Sequence, residues 1–230
     1  MAMWSVNNTE GNNQGIMELR EGNGEGIDTW EEVILIYNAA LKMIETRMAI
    51  LNDEFQHVHQ YNPIEHIKAR IKTPESIVKK LKRDGRESTI ENMIKYVNDI
   101  AGIRIICSFT SDIYRIVDML GEQRDIHVIA VKDYITFPKT SGYKSYHMIV
   151  TVPVYLSDKT VDAKVEIQIR TVAMDFWASL EHKIHYKFEG DAPEDIKMEL
   201  VECAKMVTDL DARMLKLNEE ILTIIRGREQ

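Results

Sequence analysis

Thr29 followed by Glu32 is a capping-box signature, after which Val33, Tyr37, Ala40, Ile44, Met48, Leu51 and Phe55 recur every three or four residues. That spacing predicts a long amphipathic helix. Asn62-Pro63 predicts the start of a second helix. Thr73-Pro74 predicts its end and the start of a third helix, which Gly85 closes, and Ser88 with Glu91 predicts the cap of a fourth. From Ile100 onward the period changes. Residues 102–109, 126–131, 143–152 and 161–170 are apolar, β-rich runs, with a helix after Ser111 between the first two. They predict one mixed sheet of four strands, and the short Ser157-Asp158-Lys159 turn makes the last two an antiparallel pair. Two helices follow, over 172–188 and about 193–225.

Within the last strand, Val165, Ile167 and Ile169 point one way and Glu166, Gln168 and Arg170 the other. The first set predicts core. The second is either a solvent face or the floor of a polar site. Residues 1–26 carry Gly11, Gly15, Gly22, Gly24 and Gly26 among Asn and Glu, with too little apolar surface to offset ordering entropy. The organisation expected is a flexible tail over 1–27, a catalytic domain over 28–190 and a C-terminal helix over 191–230. That helix repeats apolar residues at Met198, Val201, Ala204, Met206, Leu210, Met214, Leu217 and Ile221, a stripe suited to its own domain or to a partner.

Composition narrows the class. With 230 residues, 44% of them hydrophobic, the chain can bury one full core. Cys107 and Cys203 are far apart, lie among apolar neighbours and form no CxxC pair, which predicts buried reduced thiols and a cytoplasmic compartment. No apolar run reaches the length of a membrane span, and the amino terminus lacks a basic-then-apolar signal pattern. A net charge of −8 argues against non-specific nucleic-acid binding.

Local charge differs from the total. Lys68, Arg70, Lys72, Lys79, Lys80, Lys82, Arg83 and Arg86 face only Glu75 and Asp84 between His66 and Arg86. Such a run is a solvated face or an anion site. Ser76, Lys80 and Arg83 fall at i, i+4 and i+7 of one helix, with Arg70 and Lys72 just before it, an arrangement suited to clamping phosphates. Asp99 stands at the head of a strand, followed by small residues that let a ligand or metal approach, although an acid there is often only a turn residue. In the loop from Lys132 to His147, lysines bracket Tyr143, Ser145 and His147, whose alternation predicts one shared face. An aromatic platform beside cations suits a nucleotide; a hairpin with core tyrosines is the plainer reading. Neither GxxxxGK[ST] nor GxGxxG occurs. His182 and His185 lie at i, i+3 without a third ligand at zincin spacing and read as structural.

Four segments in order carry a resemblance: Arg70-x-Lys72-x-x-x-Ser76-x-x-x-Lys80-x-x-Arg83, Asp99 through Arg104, Lys132 through His147, and Glu166-Ile-Gln168-Ile-Arg170. Together they resemble the synthetase domain of the RelA/SpoT homologue family, in its single-domain class of small alarmone synthetases. The segment from Asp175 to His182 is more similar to the RelP type than to the RelQ type. The resemblance implies a nucleotidyltransferase-like α/β (α+β) fold, a mixed sheet flanked by helices. It implies transfer of pyrophosphate from ATP to the 3′-hydroxyl of GDP or GTP, giving the alarmone ppGpp or pppGpp and AMP.

By the same resemblance, Arg70, Lys72, Ser76, Lys80, Arg83 and Arg104 bind ATP, with Arg83 and Arg104 around the adenine. Asp99 and Glu166 hold Mg²⁺, and Glu166 is also a candidate base. Tyr143 stacks on guanine, while Lys132, Lys139, His147 and Gln168 place the acceptor. Self-association, as a tetramer, is implied too. Two positions depart from the pattern: Ala130, where many members have arginine, and Ser141, where long members often have asparagine. No histidine is followed by aspartate, so the metal-binding dipeptide of the family's hydrolase half is missing and no hydrolase activity is expected. Two other classes stay open: another nucleotidyltransferase-like enzyme, and a catalytically silent nucleotide-binding regulator.

Overall fold

A computed structural model of the chain describes residues 27, 29–59, 61–187 and 192–228. The tail expected over 1–27 falls outside these residues apart from Ile27, as does the boundary at 190, and the side chain of His185 is not among them. The capping box forms: Glu32 N donates to Thr29 Oγ1 at 3.2 Å and Thr29 N donates to Glu32 Oε2 at 3.3 Å. It opens helix α1, Trp30–His59, whose Val33, Tyr37, Ala40, Ile44 and Met48 are buried.

The second helix expected after Pro63 is instead a strand, β1, Ile64–Ile71. Asn62 Oδ1 accepts from Ile64 N at 3.0 Å, an Asx-type turn that mimics a helix start but leads into extended chain. Ile67, Ala69 and Ile71 are then half-buried while Lys68 and Arg70 are exposed, a period of two. Thr73 next caps α2, Pro74–Arg83, by accepting from Ser76 N, and Gly85 follows at φ +69°. The fourth predicted helix, α3, Ile90–Tyr96, is capped one residue later than expected, by Thr89, whose hydroxyl accepts from Asn92 N at 3.1 Å.

Beyond α3 come β2, Ala101–Cys107; α4, Thr110–Gly121; β3, His127–Asp133; β4, Tyr146–Tyr155; and β5, Thr160–Thr171. The chain ends with α5, Val172–Lys187, and α6, Glu194–Arg228. The sheet is mixed as expected, but has five strands in the order β1-β2-β5-β4-β3. Only β2 and β5 run parallel, and β4 and β5 form the antiparallel pair. Val165, Ile167 and Ile169 are each 0% exposed, and α1 packs over that face. Burying each such side chain stabilises the fold by about 1.5–3 kcal/mol.

Cys107 is buried and Cys203 half-buried; both are free thiols, so burial holds fully only for the first. On α6, Ala204 and Asp211 are buried, whereas Met198, Met206, Leu210, Met214, Leu217 and Ile221 are at least half exposed. Phe176, Leu180 and Ile184 extend an exposed apolar row along α5. No helix among the described residues is long and apolar enough to cross a membrane.

Candidate active site

Residues paired across a sheet share a face, so the strand registers line polar side chains into rows. Lys68 pairs with Arg104, Arg104 with Gln168, Gln168 with His147, and His147 with Lys132, one row across all five strands. The next row is Arg70, Gly102, Glu166, Ile149 and Ala130. Gly102 leaves the space between Arg70 and Glu166 open: a Cβ there would lie 3.8 Å from Arg70 Cγ. A cavity of about 490 Å³ follows, lined by Lys68, Arg70, Gly102, Arg104, Glu166 and Gln168 among others.

Asp99 precedes β2 and meets two lysines, with Lys72 Nζ at 2.9 Å from one oxygen and Lys80 Nζ at 2.7 Å from the other. Burial pushes its pKa up, but hydrogen bonds and charge from Lys80 and Lys72 outweigh that and hold it below the usual carboxylate range. Glu166 follows the same logic. Burial raises its pKa; His147 and Gln168 more than offset this and keep it low, against the nearby charge of Asp99. Gln168 Nε2 donates to Glu166 Oε2 at 2.8 Å, and His147 Nδ1 lies 3.6 Å from Glu166 Oε1, near enough to act through its field but too far for a hydrogen bond. Two ionised carboxylates therefore share one polar floor.

Arg170, the last polar residue of the β5 row, is only 4% exposed. Its Nε donates to Ser145 Oγ at 3.3 Å, one terminal nitrogen donates to Asp175 Oδ1 at 3.1 Å, and the other donates to Gln168 Oε1 at 3.1 Å and to the Tyr143 hydroxyl. Asp175 Oδ1 also accepts from Arg104 at 3.0 Å. Burial lowers the pKa of Arg104 and the Arg170 charge adds to this, while Asp175 opposes them.

The chain of donors has a direction. A guanidinium only donates, so the Tyr143 hydroxyl accepts from Arg170 and gives its own hydrogen to His147 Nε2, 2.9 Å away. A neutral His147 then carries its hydrogen on Nδ1, toward Glu166. Tyr143, Tyr134 and His147 meet edge to face at centroid distances of 5.3–6.0 Å, and Lys139 Nζ lies 4.9 Å from both tyrosine rings.

The structure thus gathers Lys72, Lys80 and Asp99 at one end; Arg70, Arg104, Glu166 and Gln168 in the middle; and Lys139, Tyr143 and His147 at the other. Lys132 stands exposed at the end of the His147 row. Ser76 is exposed in the first turn of α2, its hydroxyl accepting from Thr73 at 3.0 Å. Arg83 is 71% exposed and pairs with Asp84 at 3.2 Å, while Arg104 turns to Asp175, so the two arginines are engaged separately. One expectation fails: Tyr143, Ser145 and His147 do not alternate along a strand. β4 begins at Tyr146; Ser145 is fully buried and donates to Ile169 O, while Tyr143 reaches His147 from the loop. Asp175 and Tyr134 were not singled out as site residues. An acid in a first helical turn is ordinarily read as a complement to the helix dipole, so Asp175 gave no signal of its own.

No group of three or more His, Cys, Asp or Glu side chains suited to a metal occurs among the described residues. The donor chemistry nonetheless fits a hard divalent ion completed by phosphate and water: two carboxylates near enough for Glu166 to feel the charge of Asp99, both held ionised.

Residues 69–191 match the family model described as the region found in RelA/SpoT proteins. The chain belongs to the RelA/SpoT family. It is 47% identical to GTP pyrophosphokinase YwaC of Bacillus subtilis over 85% of its length and 93% of the relative's, and 34% identical to GTP pyrophosphokinase YjbM of the same organism over 84% and 90%. Among solved structures it is similar to small alarmone synthetase 2 of B. subtilis, with TM-score 0.76 and 46% identity over 83% of this chain and 98% of that one. Small alarmone synthetase 1 bound to its product pppGpp aligns with TM-score 0.77 and 34% identity over 84% and 97%. The five-stranded mixed sheet flanked by helices, with a long C-terminal helix, is the small alarmone synthetase fold.

Proposed function

We propose that this RelA/SpoT protein is a GTP/GDP pyrophosphokinase, making ppGpp or pppGpp and AMP from ATP and GDP or GTP. One observation carries the reading: Glu166 lies between a cationic half, Arg70, Lys72, Lys80 and Arg104 with Asp99 among its lysines, and an aromatic half, Tyr143 with His147 and Lys139. The relatives named as GTP pyrophosphokinases, and the synthetase 1 structures with pppGpp and AMPCPP, support it.

In this reading ATP lies over α2 and β2. Arg70, Lys72, Ser76 and Lys80 take its phosphates, and Arg83 and Arg104 flank the adenine. Tyr143 stacks on guanine, with Lys132, Lys139, His147 and Gln168 around the acceptor. The 3′-oxygen attacks the β-phosphorus, the bond from that phosphorus to the α,β-bridging oxygen breaks, AMP leaves with that oxygen, and Glu166 takes the hydroxyl proton. Asp99 and Glu166 would hold Mg²⁺, which when bound supplies positive charge to the phosphates. Lys72 and Lys80, held at the site by Asp99, and Arg70 stabilise charge spreading over the non-bridging oxygens when they take the phosphates, and positioning supplies much of the remaining acceleration. Ala130, in the row of Glu166, contributes only a methyl group, so lysines at 132 and 139 carry the cationic charge near the acceptor.

Incubation with ATP, GDP and Mg²⁺ is expected to yield AMP only when the guanosine nucleotide is present. Acceptor-dependent release of pyrophosphate would instead indicate nucleotidyl transfer, and no turnover would indicate a silent binder. The exposed apolar rows of α5 and α6 are assigned to copies of the same chain, as a tetramer in the cytoplasm. Sedimentation equilibrium is expected to return four times the 26.6 kDa chain mass. A monomer at micromolar concentration would contradict this assignment.

A further inference from the structure

Tyr143 does not rest on the main core. It packs against a separate small cluster of Trp177, Ala178 and Ala204, joined by Leu200, Cys203 and Val207, so α5 and α6 back the ring while Arg170 and His147 hold its hydroxyl. Gly142, immediately before it, sits at φ +87°, and a Cβ there would lie 2.5 Å from Ala204 Cβ and 3.9 Å from Trp177 Cζ2. The loop backbone therefore lies directly on α6. Two hydrogen bonds fix the helix behind it: Trp177 Nε1 donates to Leu200 O at 3.0 Å, and the Thr171 hydroxyl donates to the buried Asp211 at 2.7 Å. Thr171 also accepts from Met174 N at 3.1 Å, so one hydroxyl ties the end of β5, the start of α5 and the middle of α6 together. Beside this contact is a cavity of about 240 Å³, bordered by Ile135, Gly142 and Ala204 among others.

We infer that α6 is the back wall of the acceptor half of the site, with Ala204 and Asp211 as positioning residues that set where Tyr143 stands. The inference rests on the proposed role of Tyr143 in guanine stacking. It gives the C-terminal helix a task inside its own chain, apart from any partner. The close Gly142–Ala204 contact passes such shifts on, because the loop backbone meets the helix there with only the Ala204 methyl between them. The ATP half is built on β1, α2 and β2, and its Arg104 reaches Asp175 in the first turn of α5.

The test is equilibrium binding of GDP and, separately, of the ATP analogue AMPCPP to the full chain. Gly142→Ala is expected to weaken GDP at least tenfold while AMPCPP stays within twofold. Ala204→Gly alone, which withdraws one methyl group from behind the loop, is expected to weaken GDP two- to threefold and to leave AMPCPP within twofold. In the double variant the Cβ collision is gone while the strained φ remains, and GDP binding is expected to return to within threefold of wild type. A double variant as weak as Gly142→Ala, or equal loss of both nucleotides in the single variant, would overturn the inference. Should Gly142→Ala fail to fold by circular dichroism, Asp211→Ala is expected to weaken GDP selectively, with Asp211→Asn recovering it by accepting the Thr171 hydrogen. Equal values for those two would overturn it. Because binding is read without turnover, a wild type that binds both nucleotides yet forms no product removes the reaction assignment alone.

Discussion

Glu166→Gln is expected to lower turnover by on the order of 10³-fold or more while changing ATP binding less than about threefold. General base catalysis alone is worth roughly 10²–10⁴-fold. The substitution keeps the side-chain shape, and Gln168 keeps a carbonyl oxygen to donate to, so packing on β5 is conserved. What disappears is the negative charge of Glu166, beside Gln168 and His147 and within the field of Asp99. A single-turnover measurement with both nucleotides, alongside ATP binding, checks it. A rate within tenfold of wild type would remove Glu166 from the chemistry.

Tyr143→Ala is the second large effect, and its signature is selectivity. Stacking of a base on an aromatic ring is worth about 1–3 kcal/mol, so KM for GDP or GTP is expected to rise between about fivefold and 150-fold. KM for ATP stays within about twofold. Tyr143→Phe separates ring from hydroxyl: it keeps the stacking face but breaks the donor chain from Arg170 to His147, so its loss falls on kcat more than on acceptor KM. Equal losses for ATP and the acceptor in Tyr143→Ala would refute the stacking role.

Much of the fold could be read from the chain because local chemistry and global packing agree in those places. The Thr29-Glu32 box and the turn before β5 each specify one outcome, and the alternation of Val165 through Arg170 specifies which side chains enter the core. β1 misled because Asn62-Pro63 satisfies a helix start as well as an Asx turn, and the period-two pattern from Ile67 through Ala69 to Ile71 is short. The candidate site residues came from the resemblance of four ordered segments and not from single positions, since an acid such as Asp99 at the head of a strand is often only a turn residue. The rows they form were not legible, because a row depends on which strands pair and in what register. Arg170 is the clearest case: its residue type was evident, but its partners Ser145, Asp175 and Tyr143 come from a loop and a helix that only the fold brings to it. Gly142 read as a loop former, and its contact with Ala204, 62 positions later, left no local trace.

The measurement closest to the central claim is ³¹P NMR of the products formed from ATP and GDP by the wild-type chain. AMP together with a guanosine carrying a new 3′-diphosphate, in equal amounts and absent with Glu166→Gln, is the expected result. Free pyrophosphate with adenylated acceptor would contradict it.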